Sequence, residues 1–364
     1  MATRREKCQW CGQKMLVPLQ AQAFSCPYCQ NINQTRNYHI GYLHPQMNGS
    51  HPRISNNGMS YDNTNGWNPA RYYQSYIPIQ VSPPNFHGRK RAVLCGITYQ
   101  GHPKALKGSV NDVLSMKSLL VWKLGFPNAS VVVLTEEEED PYRQPTKRNI
   151  LTALQWLVQG CQSGDSLVFH YSGHGSRVRD RDGDEVDGHD EALCPVDYET
   201  EGKILDDQIN DIIVRPLPRG ATLHAIIDTC FSGTFLDLPF LCRMNREGYY
   251  RWEDHRMPNG RYAPYKGTSG GLAISISACD DNQNSGEAPI FTGSATGALT
   301  YSFIQIVERN EARLTYGYLL STMRNYIHDA QKTLSNGRIE PDSVQEPQLS
   351  SSEQFDVHSK YFVL

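Results

Sequence analysis

Two short segments of the chain each end an apolar run in a tight, glycine-flanked turn, and together they offer a thiol and an imidazole. Phe169-His170-Tyr171-Ser172-Gly173-His174-Gly175-Ser176 exposes His174, and Ala225-Ile226-Ile227-Asp228-Thr229-Cys230-Phe231-Ser232-Gly233 exposes Cys230. An imidazole beside a thiol stabilises the thiolate and later protonates a leaving amine, which is the chemistry of acyl transfer. The neighbouring glycines leave the N–H groups of Gly175 and Cys230 able to face a developing oxyanion. A histidine in a glycine turn is by itself an ordinary turn residue. Both segments together supply the set of roles that peptide-bond hydrolysis needs. Cys95, Cys194 and Cys279 lie in or beside apolar runs, where a small thiol is inert; Cys279 in SACDD also ends such a run and is kept in reserve as an auxiliary thiol. His170 reads as structural.

Those turns must be positioned by a scaffold, and the sequence from Arg89 onward has one. Apolar strands are expected at Ala92–Ile97, Ser130–Leu134, Ser166–His170, Leu223–Ile227 and Leu272–Ser277. Between them run helical patterns: Asn111–Val121, a helix capped by Thr146 and carrying Ile150, Leu151, Leu154, Leu157 and Val158, and one starting near Asp206-Asp207. Further helices are expected over about Ala295–Glu308 and Thr315–Lys332. Strands alternating with helices imply an α/β domain whose largely parallel sheet is covered on both faces, with chemistry at the carboxyl ends of the strands. Asp228 precedes Cys230 by two residues, so both side chains face one side of the strand end. A carboxylate there opposes ionisation of the thiol but suits a guanidinium or ammonium held next to the scissile bond.

The amino-terminal segment is chemically separate. Cys8-Gln9-Trp10-Cys11 and Cys26-Pro27-Tyr28-Cys29, with 14 residues between the pairs, let two tight turns present four thiolates tetrahedrally. A structural zinc ion is the expected occupant, with rubredoxin-like iron or disulfide pairing as alternatives. Four cysteine ligands leave no open position for catalysis, and the metal would supply most of the folding energy of so small a core. Residues 34–88, rich in Asn, Gly, Pro, Ser and Tyr and without periodicity, read as a flexible linker. The expected domains are thus a four-cysteine zinc-finger module over 1–33, a linker over 34–88 and a peptidase domain over 89–364. The last divides at a connecting loop (241–270) into a longer part (89–240) and a shorter part (271–364).

The motifs RAVLCGITYQG, LKGSVNDV, DSLVFHYSGHGS, DGDEVDGHDEALCPVD, ILDDQI, HAIIDTCFSGTFLDLP and ISACDDNQNSGEAPIFTGSATGALTYSF resemble those of plant type I metacaspases over about residues 89–364. The first module resembles zinc fingers of the lesion-simulating-disease type, which are usually interaction modules. The resemblance implies a caspase-like fold, a His174/Cys230 dyad, activation by calcium, cleavage after Arg or Lys, and a role in regulated proteolysis or programmed cell death. It also matches Asp112 and Ser172, with Asp228, to the pocket that receives the basic residue; the alternative for Asp112 is a helix cap. Ser109 departs from the cysteine many members have at that place.

Asp190, Asp206, Asp207 and Asp237, from separate exits of the fold, could share a hard cation such as calcium, and they match the calcium aspartates of the resembling proteins. Solvated acidic loops are the plain alternative. Asp180–Glu191 mimics an EF-hand loop, but Glu185 stands where the turn glycine belongs and no flanking helices are indicated. Gly267-Thr268-Ser269-Gly270-Gly271 satisfies a serine-hydrolase pattern without the preceding strand that pattern needs. The connection over about Leu241–Gly270 offers Arg243, Arg246, Arg251, Arg256, Arg261 and Lys266 as sites for self-cleavage in a surface loop.

Length and composition set the outer bounds. At 364 residues the chain suggests about two domains. With 38 acidic against 35 basic residues it is no general nucleic-acid coat. Its mean hydropathy of -0.53 and the lack of an apolar run of about 20 residues exclude an integral membrane protein. MATRREKCQW has no apolar run of the secretory type, so a reducing cytosolic or nuclear setting is expected. The expected partners are peptide or protein substrates, with protein contacts through the zinc module and linker. The competing expectation is an inactive zinc-finger adaptor with a protease-like binding domain.

Overall fold

The computed structural model describes residues 3–7, 14–18, 23–25, 32–34, 90–180, 185, 188–229, 235–245, 247–256, 265–278, 296–309, 314–334 and 346–364. The chain divides into two compact units, Met1–Ser75 and Tyr76–Leu364. In the first, Thr3–Lys7 pairs antiparallel with Lys14–Pro18, and Ala23–Ser25 with Ile32–Gln34. Cys8 and Cys11 fall between one strand pair and Cys26 and Cys29 between the other; the four cysteines lie outside the described residues.

In the second unit the elements relevant to the site are, in chain order, β1 (Lys90–Gly96), α1 (Ser109–Ser118), β2 (Val131–Thr135), α2 (Lys147–Val158), β3 (Ser166–Ser172), β4 (Gly175–Arg179), β5 (His189–Leu193) and β6 (Ile204–Leu205). They continue with β7 (Thr222–Asp228), β8 (Phe240–Met244), β9 (Tyr250–Asp254), β10 (Leu272–Ser277), α3 (Ala298–Arg309), α4 (Tyr316–Leu334) and β11 (Gln348–Ser351). The main sheet has eight strands in the order β9-β8-β11-β10-β7-β3-β1-β2. The pairs from β10 to β2 are parallel, whereas β11, β8 and β9 add antiparallel pairs at one edge. β4, β5 and β6 make a separate small antiparallel sheet.

Alternation along each central strand divides the core. Ala92, Leu94, Val168, Ile226, Ile274 and Ile276 pack with α1, α3 and α4 on one face. Val93, Cys95, Leu167, Phe169, Ala225 and Ile227 pack with α2 on the other. Because both faces are covered, these strands are largely apolar, with buried His170, His224 and Ser275 among the exceptions. Thr146 caps α2, its side chain accepting from the N–H of Asn149 at 3.3 Å.

The expected connecting loop over 241–270 is corrected in part. β8 and β9 form a hairpin that extends the main sheet, with Leu241 and Cys242 fully buried and the Trp252 indole N–H donating to Phe355 O at 3.0 Å. Basic residues had suggested solvation, but Arg243 and Arg251 both bond Glu253, and Arg256 bonds Asp254 while lying over the Phe240 ring. Of the EF-hand pattern, Asp180 N–H donates to Gly188 O at 3.0 Å and His189–Glu191 belong to β5, whereas residues 181–184, 186 and 187 lie outside the described residues. Ser269, from the serine-hydrolase pattern, precedes β10 and donates to Arg215 O.

Candidate active site

The carboxyl ends of β1, β3 and β7 lie in register, with Gly96 opposite Ser172 and Ser172 opposite Asp228. Counting in twos from Leu94, Val168 and Ile226 puts all three on the face covered by α1 and α3. A Cβ on Gly96 would lie 2.5 Å from Ser109 O, so glycine there lets the first turn of α1 meet the strand end. Ser109 is itself buried at that contact. Asp112 does not cap α1, since Gly108 holds the cap position; its side chain turns across to the strands. Ser172 Oγ donates to Asp112 Oδ2 at 2.7 Å, and Gly297 N–H donates to both Asp112 oxygens at 3.0 and 3.1 Å. Thr300 donates to Asp228 Oδ2 through its N–H and its hydroxyl, each at 2.8 Å. Asp112, Ser172 and Asp228, singled out separately in the sequence, thus surround one point, which the amino end of α3 closes.

His174 follows β3 directly. A carbonyl can only accept, so the 2.6 Å contact from His174 Nε2 to Lys104 O is an N–H donation. That bond leaves Nδ1 as the basic nitrogen. The imidazole stacks on Tyr99 with ring centroids 4.5 Å apart. The Tyr99 hydroxyl accepts from the His174 N–H at 2.9 Å and lies 2.6 Å from Cys194 O, to which it donates. Tyr171 lies alongside, its hydroxyl within 3.1 Å of His174 O and 3.0 Å of Cys194 O. Burial raises both phenols well above their ordinary range, so they remain donors. Tyr99 has φ 53°, a conformation costly for a side chain of its size and held here by this network. Neither the Tyr99 buttress nor the Lys104 carbonyl is visible as a sequence motif; the only hint is the aromatic residue just after β1 in GITYQG.

β7 ends at Asp228, and Thr229 is buried. Cys230 and Cys279 lie outside the described residues. Of the other thiols, burial pushes Cys194 up to about 11 and Cys242 up to about 12, and Cys95 higher still. Such thiols stay protonated and inert, as the sequence suggested for Cys95 and Cys194.

Asp190, on β5, and Asp206, just after β6, share a buried acidic neighbourhood. Asp206 accepts from the Glu191 N–H at 3.2 Å. Its carboxyl is held well above its ordinary range by burial, with Glu191, Glu185, Asp207 and Asp190 adding like charge. Asp237, at φ 49°, is also raised, by burial first, with Lys266 opposing and Asp206 and Glu185 reinforcing. The buried Lys266 ammonium is 2.7 Å from Glu185 Oε1 and paired with Asp237 Oδ1. Among the described residues no three His, Cys, Asp or Glu side chains are grouped to hold a metal ion. The donor chemistry, hard carboxylate oxygens around a buried Asp206, suits calcium, while the cation that Asp237 meets in this structure is Lys266. The sequence marked Lys266 only as a cleavage position and Glu185 only as the residue that spoils the EF-hand pattern, and placed neither in the cation site.

The carboxyl ends of a largely parallel α/β sheet thus carry an oriented histidine and two buried carboxylates. The family model described as "Metacaspase, peptidase C14 domain" matches residues 90–239. Metacaspase-3 of Arabidopsis thaliana is 48% identical over 370 residues, covering all of both chains. Metacaspase-1 of the same plant is 54% identical, covering 98% of this chain and 95% of its own. Among solved structures, caspase-1 from Spodoptera frugiperda aligns over 79% of this chain and 96% of its own at 14% identity and a TM-score of 0.43. The chain belongs to the metacaspase family, and it is a cysteine-type endopeptidase with an α/β fold. Among the described residues no helix is long and apolar enough to cross a membrane.

Proposed function

We propose that this metacaspase is a calcium-dependent endopeptidase that cuts after Arg or Lys, acts in regulated proteolysis or programmed cell death, and carries a zinc-binding amino-terminal module. The observation behind the specificity is the meeting of Asp112 and Asp228 at the α3 amino end beside Ser172. Two buried carboxylates favour a cationic side chain, and a planar guanidinium can satisfy both more fully than an ammonium.

In the reaction His174 Nδ1 takes the Cys230 proton while Nε2–H stays on Lys104 O, which keeps the ring in one tautomer. The thiolate attacks the carbonyl carbon, and the tetrahedral intermediate collapses to a thioester as His174 returns the proton to the leaving amine. A water, deprotonated by His174, then attacks the thioester; the acid departs, and the proton regenerates the thiol.

Asp190, Asp206, Asp207 and Asp237 would hold calcium, which when bound offsets the repulsion among these carboxylates. Cys8, Cys11, Cys26 and Cys29 would hold zinc; support comes from the two antiparallel strand pairs that bracket the cysteine pairs. Self-cleavage in the 241–270 connection is part of the proposal, and at Arg243 or Arg251 it would require the β8–β9 hairpin to leave the sheet edge.

The test is hydrolysis of matched Arg, Lys and Asp peptides, with calcium or with chelator. Calcium-dependent turnover of the Arg and Lys peptides is expected, and a preference for Asp would overturn the pocket assignment.

A further inference from the structure

His170 lies beneath the acidic pocket on the same face of β3 as Ser172, and it is fully buried. Its Nε2 is 3.1 Å from the Thr300 hydroxyl, which is 2.8 Å from Asp228 Oδ2. Thr300 is equally buried. Its hydroxyl has one proton, and an ionised Asp228 can only accept it. The hydroxyl oxygen must therefore accept from His170, which fixes the proton on Nε2. Among the described residues His170 Nδ1 is buried without a hydrogen-bond partner, an arrangement a merely space-filling residue would not need. Burial takes His170 down to about 3, so the ring is neutral and works as a hydrogen-bond donor, not as a charge.

On the other side of Asp228 the α3 main chain approaches very closely: a Cβ on Gly297 would overlap Asp228 Oδ2 and lie 3.0 Å from Asp112 Oδ2. The N–H groups of Gly297 and Thr300 open a helix of 12 residues, whose positive end favours ionised carboxylates. The Thr300 N–H is available whatever the side chain, so what the threonine adds is a second donor on Oδ2 that fixes the rotation of the carboxylate.

We propose that Thr300, with His170 behind it, is a positioning residue for substrate specificity, holding the Asp228 carboxylate oriented to receive a basic side chain. This rests on the reading of Asp112 and Asp228 as the pocket for Arg or Lys. A preset carboxylate spares the bound state the cost of ordering it, so the effect belongs to binding more than to the chemical step.

The experiment compares Thr300→Val, Thr300→Ser and His170→Phe in the full-length protein. It measures kcat and KM on an Arg peptide, inhibition by agmatine as a free guanidinium probe, and thermal melting. Thr300→Val should weaken agmatine and raise KM, each about tenfold, with kcat within about twofold. Thr300→Ser, which keeps the hydroxyl, should stay near wild type, and His170→Phe should weaken agmatine about threefold. In an Asp228→Asn background Thr300→Val should cost little more, because the residue acts through that carboxylate. Wild-type agmatine affinity in Thr300→Val, equal losses in the serine and valine variants, or full multiplication with Asp228→Asn would each overturn the inference. If Thr300→Val does not fold, the serine and His170→Phe variants decide: unchanged agmatine affinity in the latter overturns it. A wild-type enzyme that neither binds agmatine nor prefers basic residues defeats the acidic-pocket reading itself. That outcome differs from failure of this inference alone, in which wild type and Thr300→Val bind agmatine equally.

Discussion

Lys266 buries its ammonium against the carboxylate of Asp237, and the same ammonium is 2.7 Å from Glu185 Oε1. Burial opposes the charge on Lys266, but Asp237 and Glu185 together outweigh it and raise the ammonium above its usual range, so it remains charged. The acidic neighbourhood proposed for calcium therefore already has one internal cation. Removing one partner of a buried pair typically costs about 3 to 5 kcal/mol, because the other charge is left uncompensated. Lys266→Met is expected to lower the melting temperature in chelator, and added calcium should restore more of it than it adds to wild type. Thermal melts with chelator and with calcium check this; a loss that calcium leaves unchanged would separate Lys266 from the cation site.

The raised Asp206 carboxyl makes a pH prediction. Because the folded state keeps this proton above the ordinary value of 3.8, it binds more protons than the unfolded chain, and stability falls as pH rises through that window. Asp206→Asn cannot ionise and should flatten the decline. Melting curves from about pH 4 to pH 8 in chelator, compared between the two proteins, read the difference directly. Parallel curves would show that Asp206 ionises without penalty.

Tyr99→Phe keeps the ring stacked on His174 and removes the hydroxyl that joins the His174 N–H to Cys194 O. The expected cost is about 1 to 3 kcal/mol of stability, from leaving buried groups unpaired. A fall in kcat of about tenfold should accompany it as the imidazole loses its anchor. Melting and steady-state kinetics on one preparation test both. Normal kcat would mean that Lys104 O alone suffices to orient the base.

The strand and helix framework was legible because its signals are local. Thr146 caps α2 as its residue type indicates, and Val113, Met116 and Leu120 form the buried stripe they suggested. Asp112, Ser172 and Asp228 were each singled out in the sequence, but nothing local showed why they converge. It depends on strand register, on the bare α-carbon of Gly297, and on donors at the start of α3, over 180 residues beyond Asp112 in sequence. The β8–β9 hairpin was missed for a related reason: the charges that made it look solvated are satisfied by Glu253 and Asp254 within the hairpin.

Losing either pocket carboxylate should damage recognition more than folding. Asp228→Asn or Asp112→Asn is expected to lower kcat/KM on Arg peptides by about 2 to 5 kcal/mol of binding, roughly 30-fold to several thousand-fold. Acylation by a peptide with a neutral residue at the same position should change far less. Equal losses on both substrates would place the carboxylates in folding or general catalysis.

The most direct measurement is covalent trapping. Wild-type enzyme with calcium is incubated with a peptidyl chloromethyl ketone ending in arginine, and the modified residue is located by mass spectrometry of its peptides. A single adduct on Cys230 is expected, slowed by agmatine, much slower in His174→Ala and absent in Cys230→Ala. Modification of Cys279 instead, or labelling of Cys230 at the same rate with His174 replaced and agmatine present, would contradict it.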